Sequence, residues 1–211
     1  MNRNGTERIS SAGHKREARH RQPHLFRIAS LTVWLLALVL TSAVVARGQD
    51  SAPTEYQLKA VFLYNFAKFI DWPSNTFVTR QSPFVICILG VDPFGTTIDE
   101  TLKGKTVEDR AVVIERAKEP AEVRHCQIVF VSASERHRLP EILTVLQGTS
   151  ALIVGDTDRF TDSGGTIQLM LEQNRIRFTI NTDAAEGAGL RISSKLLALA
   201  KVVRGSESGK N

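Results

Sequence analysis

Residues 84–90, Phe-Val-Ile-Cys-Ile-Leu-Gly, are apolar at both alternating sets, Phe84/Ile86/Ile88 and Val85/Cys87/Leu89. A strand that is apolar on both faces must be covered on both, as in a parallel sheet packed between helices. This run is therefore expected to be the central strand. Shorter apolar runs at 110–114, 126–131 and 151–154 read as further strands, the first of them a short edge. The runs 165–171 and 175–180, joined by Glu172-Gln173-Asn174, read as a hairpin. Helical periodicity covers 55–72, stopped by Pro73, and 93–102, where Asp92 is placed to cap a helix opened by Pro93. Ser132-Ala133-Ser134-Glu135 fits a capping box ahead of a helix that begins properly at Pro140 and runs to Leu146. Residues 181–188 read as a polar helical turn, and 192–203 as a closing helix.

Strands alternating with helices, finished by a hairpin, predict an α/β fold: a single three-layer αβα domain over residues 55–204, its sheet mostly parallel with a C-terminal antiparallel hairpin. The chain has two cysteines, Cys87 in the central strand and Cys126 at the start of the third. A disulfide between them makes the first and third strands neighbours and pushes the second outside, giving the doubly wound order 2-1-3-4.

The first helix carries two apolar stripes. Leu58, Val61, Phe62, Asn65, Phe66, Phe69 and Trp72 form the bulkier one and are expected to meet the sheet, since residues 56–77 hold seven of the chain's fourteen aromatics. Ala60, Leu63, Ala67 and Ile70 lie roughly opposite, where a surface helix is normally polar. They are expected either to pack under the closing helix or to bind another chain, and the second expectation is carried forward as a partner-binding stripe.

Charge separates the ends from the middle. Residues 1–46 hold seven Lys and Arg against two acidic residues, followed within that stretch by an apolar run, 28–45, and small residues around Ala43 and Ala46. This is the order of a secretory signal cleaved after Ala46, with an uncleaved membrane anchor as the rival reading. Residues 47–54 then form a linker and 205–211 a disordered tail. Without the leader, 20 basic residues face 20 acidic ones. The high pI thus belongs to the leader, and no nucleic-acid partner is expected.

Candidate chemistry is sparse. The turn Gly90 to Gly95 matches neither a dinucleotide loop nor a phosphate-binding lysine loop. Asp156, Asp158 and Asp162 lack the glycine of a calcium loop and read as a solvated turn. His125 and His137 have no nucleophile partner and take surface or structural roles. No catalytic residue, cofactor or metal is expected. Arg175 and Arg177 share one face of the hairpin, where they stand either as solvated charge or as contacts for an anion or an acidic partner.

Three blocks, Tyr64 to Pro73, Leu89 to Gly95 and Gly189 to Leu197, resemble the YfiR family in order and content. The resemblance extends from about Tyr56 to Val203. It implies a periplasmic αβα domain that restrains a membrane-bound diguanylate cyclase by binding its periplasmic part, with no catalysis of its own. Better-studied members carry a second cysteine pair, and only the pair matching Cys87 and Cys126 is present here. The leading expectation is a periplasmic regulator of a membrane signalling partner, able also to form a homodimer. The alternative is a small-molecule sensor with its site at the carboxyl edge of the sheet, near Asp92 to Gly95.

Overall fold

The computed structural model describes residues 54–204. The expected leader, most of the linker and the tail lie outside the described residues. Strand β2 (Phe84–Leu89) is buried at every position and lies inside an eight-stranded sheet. Parallel partners flank it: β4 (Arg110–Ala117) on one side and β5 (Ile128–Val131) on the other. Next to β5 comes β6 (Leu152–Gly155), then β7 (Ile167–Glu172) and β8 (Arg175–Asn181). The expected order of the first four strands is therefore the observed one, and the hairpin β7–β8 is antiparallel as expected. Gln173 and Asn174 both take positive φ, 49° and 59°, the two-residue turn whose twist suits a hairpin.

Two apolar layers confirm the three-layer class. On one face Phe84, Ile86 and Ile88 pack with helix α1 (Glu55–Phe69) and helix α2 (Thr97–Leu102). On the other, Val85, Cys87 and Leu89 pack with Val123 of a 3-10 turn and with helix α3 (Leu139–Leu146). Pro140 stands in the first turn of α3, after a separate 3-10 turn at Ala133–Glu135 that Ser132 caps.

Four expectations are corrected. Helix α1 ends at Phe69, not Trp72, because Ile70–Asp71 (β1) pairs antiparallel with Arg191–Ile192 (β9) and Ser193 N–H binds the Phe69 carbonyl at 3.0 Å. Asp92 closes a turn, accepting from Phe94 and Gly95 N–H at 2.7 and 3.3 Å, and α2 begins only at Thr97. The second strand is eight residues long and is not the edge, since Thr106–Val107 (β3) folds back onto it. The closing helix is a single turn, α5 (Ser194–Leu197), after the short α4 (Thr182–Gly187). Lys201–Val203 then extends as β10, parallel to β8. Two adjacent valines fit a strand better than a helix end, and β8 offers an unpaired edge for their backbone.

Candidate functional site

Helix α1 is apolar on both sides, so its rotation is set by its neighbours. Ala60, Leu63, Ala67 and Ile70 face the sheet, at 0, 0, 2 and 3% exposure, with Phe66 beside them. The stripe expected to bind another chain is core. The reason is steric: alanines let the helix axis approach the sheet, and Leu63 and Ile70 fill the remaining gap. Of the bulkier stripe, Val61 and Phe69 turn outward, Leu58, Phe62, Asn65 and Trp72 are half-buried, and Phe66 is fully buried.

A buried ion pair holds that rotation. Lys59 lies on the sheet side of α1, and its ammonium meets Asp156, the residue after β6, at 2.6 Å; the two side chains are only 4 and 6% exposed. Glu55, one turn back, takes the same ammonium at 2.5 Å, and the Tyr56 hydroxyl donates to Asp156 at 3.2 Å. Burial disfavours the charged lysine, but hydrogen bonds to Asp156 and Glu55 outweigh it and hold the Lys59 ammonium above its ordinary value. Burial, with the Asp156 charge, pushes the Tyr56 phenol up as well. Asp156 is therefore not part of a solvated turn, whereas Asp158 and Asp162 are exposed and Asp162 pairs only with exposed Arg159.

The outward face of α1 forms one wall of an apolar groove of about 130 Å³. Phe62, Phe66 and Phe178 of β8 make its floor, stacked edge to face with centroids 5.3–6.0 Å apart. Phe69, 40% exposed, and Leu199, 73% exposed, also line it, with Asn65, Lys195 and Leu196. Val61 extends the apolar face along the helix, and Val202 of the edge strand β10 is half exposed three residues beyond Leu199. Leu58, Val61, Phe62, Asn65 and Phe69 were legible as a stripe, but sequence alone placed them inside.

The carboxyl edge of the sheet divides into a closed part and an open one. At Asp92 to Gly95, Arg116 fills the space itself, donating to Asp92 at 2.8 Å, to the Gly95 carbonyl at 2.9 Å and to Asp99 at 2.5 Å. Gly90, at φ 96°, closes the turn where any side chain would collide with Ser134 and Glu135. Beyond β5 and β6 a polar cleft of about 480 Å³ opens, lined by Arg136, His137, Asp156, Asp158 and Phe160 among others.

The expected Cys87–Cys126 disulfide is present, with Cα atoms 6.0 Å apart. Its neighbours were not anticipated: His125 Nε2 lies 2.9 Å from Glu115 and 3.9 Å from Cys126 Sγ. Arg175 and Arg177 are exposed and alternate with Ile176 and Phe178, which belong to the α1 layer. The arginine pair thus lies on the opposite face of the sheet from the apolar groove, and the structure does not bring the two together. Among the described residues no helix is long and apolar enough to cross a membrane.

Comparison with known proteins gives one firm result. No curated protein matches the chain. Among solved structures, a conserved domain protein from Vibrio cholerae O1 biovar El Tor strain N16961 aligns at 10% identity and a TM-score of 0.48, over 71% of this chain and 60% of that one. The ABC domain from Streptococcus pneumonia in complex with L-Trp aligns at 13% identity and a TM-score of 0.42, over 56% and 54%. The chain thus spans less than two thirds of either protein's length. The sequence pattern described as YfiR/HmsC-like matches residues 56–201, from the second residue of α1 to the first of β10. That match covers more than half of the chain and runs from α1 through β9 and α5, and the chain belongs to the YfiR/HmsC-like family.

Proposed function

We propose that the protein is a periplasmic regulator that binds and restrains a membrane-bound signalling protein of the diguanylate cyclase type, without catalysis of its own. The observation that carries this reading is the outward apolar face of α1, where Phe62, Phe69 and Leu199 line one groove in a sheet whose edge strand is β10. A groove of this kind accepts apolar side chains of a partner segment, and an adjacent sheet edge can pair with that segment's backbone. The occupant in this reading is an apolar stretch of the partner's periplasmic part. Membership of the YfiR/HmsC-like family supports both the compartment and the class of partner. The signal-like order of residues 1–46 agrees with export. Arg175 and Arg177 supply a second, electrostatic contact for an acidic segment of the same partner, on the other face of the sheet.

The test is binding of the purified protein to the periplasmic segment of the membrane-bound diguanylate cyclase from the same organism, measured by calorimetry. Phe69→Asp should abolish binding while leaving the circular dichroism unchanged; equal affinity for the variant refutes the groove as the docking site. A second reading, small-molecule sensing, is favoured by the polar cleft beyond β5 and β6. It moves the expected site away from Asp92 to Gly95, which Arg116 occupies. Asp158→Ala with Arg136→Ala would impair sensing under that reading and leave partner binding untouched under the first.

A further inference from the structure

The cysteines, His125 and Glu115 lie together for reasons of register. Cys87 is the ladder partner of Glu115 on β4, so their side chains emerge on the same face. Cys126 lies two residues before β5, the strand on the other side of β2, and His125 precedes Cys126. One ligand atom from each of the four, two sulfurs, an imidazole nitrogen and a carboxylate oxygen, falls within 4.8 Å of every other. The cysteines are buried, while Glu115 and His125 reach the surface, and Cys126 and His125 line an open polar cleft of about 260 Å³.

We propose that reduction of the Cys87–Cys126 disulfide turns this cluster into a binding site for a zinc-class divalent ion. The donor set is two thiolates, one imidazole and one carboxylate, which suits tetrahedral zinc. Zinc bonds of about 2.0–2.3 Å give a tetrahedron with edges of roughly 3.3–3.8 Å. The His125–Glu115 and Cys126–His125 separations of 2.9 and 3.9 Å bracket that range. Parting of the two sulfurs to about the same edge length completes it.

In the oxidised protein both sulfurs are committed to each other and the site does not exist. A dithiol reductant passes two electrons and two protons to the sulfur–sulfur bond, is itself oxidised to a disulfide, and leaves two thiols. The metal then replaces both thiol protons, which go to solvent, and binds neutral His125 and ionised Glu115. The segment bearing the ligands is held independently of the disulfide. The buried Gln127 side chain accepts from Val85 N–H at 2.7 Å and donates to the His125 carbonyl at 3.1 Å, fixing His125 and Cys126 against β2. The metal would thus take over the cross-link that reduction removes.

The purified protein, reduced with a phosphine that is then removed without air, is titrated with cobalt(II) and then with zinc(II) in competition with a chromophoric chelator. The expected result is one cobalt per chain, with thiolate charge-transfer absorption and the visible bands of a tetrahedral ion. The oxidised protein and Cys87→Ser/Cys126→Ser should show neither. His125→Ala and Glu115→Gln should each weaken zinc binding by about tenfold or more. Far-ultraviolet circular dichroism of the reduced, zinc-loaded protein should match the oxidised one. The proposal is overturned if reduced protein takes up no stoichiometric cobalt, or if the oxidised form binds equally. It is also overturned if the His125 and Glu115 variants bind as the parent does, or if zinc leaves a reduced chain unfolded. None of these readouts involves a partner protein, so they stand or fall apart from the regulatory reading.

Discussion

Removing the Asp156 carboxylate isolates the contact that sets the rotation of α1. In Asp156→Ala the Lys59 ammonium stays on the buried side of the helix, its nearest remaining anion being Glu55 at 2.5 Å, a residue partly open to solvent. Breaking one side of a buried pair costs about 3–5 kcal/mol. The surviving Glu55 contact puts this case near the low end, and loss of the Tyr56 hydrogen bond adds about 1 kcal/mol. The expected loss is about 3–4 kcal/mol, read from urea unfolding followed by circular dichroism. Replacing both partners in Lys59→Met/Asp156→Leu removes the stranded charge and should recover most of the loss, to within about 1 kcal/mol of the parent. A cost below about 1 kcal/mol for Asp156→Ala, or a double variant as unstable as the single one, would show that the ion pair does not hold the helix. The pH dependence follows with a definite sign. Lys59 holds its proton more tightly folded than unfolded, so its contribution is complete below the ordinary lysine value of 10.5 and is lost as pH rises above it. Tyr56, raised above 10.0, acts in the same direction. Stability should therefore fall on the alkaline side, and less steeply in Lys59→Met.

Leu63→Ala, a cavity beneath α1, should cost about 3 kcal/mol in denaturant unfolding, and Leu63→Asp should fail to fold, whereas Phe69→Asp on the outward stripe should keep the parent's melting profile. Removing the disulfide with Cys87→Ser/Cys126→Ser, in the absence of metal, should cost about 4 kcal/mol in the chain-entropy account for a 39-residue separation; a loss below about 1 kcal/mol would mean that the Gln127 latch alone pins the strands. Charge reversal at Arg175 and Arg177 should weaken partner affinity, most visibly at low salt, without changing the unfolding midpoint; an unaltered affinity would return the pair to a solvated strand face.

The sheet was readable because burial on both faces leaves little choice: the all-apolar run Phe84 to Leu89 can only be central, and the two cysteines fix its neighbour. The rotation of α1 was not readable, because both of its stripes are apolar and aromatic bulk is a poor guide to which one meets a sheet. The deciding contact, Lys59 with Asp156, spans 97 residues, and in sequence Lys59 reads as an ordinary surface partner of Glu55. The C-terminus was misread for a related reason. Leu196, Leu197, Leu199 and Val203 repeat at helical spacing, but the unpaired edge of β8 claims Lys201 to Val203 as a strand. The neighbourhood of the disulfide shows the same limit: His125 and Glu115 meet only because β4 and β5 flank β2. Adjacent strands were predicted, but the register that brings those two side chains together was not.

Restraint of a membrane-bound cyclase through the outward groove of α1 is tested by reconstituting the full-length cyclase from the same organism in liposomes, adding purified protein to the periplasmic side, and following cyclic-di-GMP formation. The parent protein should lower the rate in proportion to occupancy, and Phe69→Asp, though folded, should leave it unchanged. Equal inhibition by parent and variant, or none by the parent, would contradict restraint through the groove.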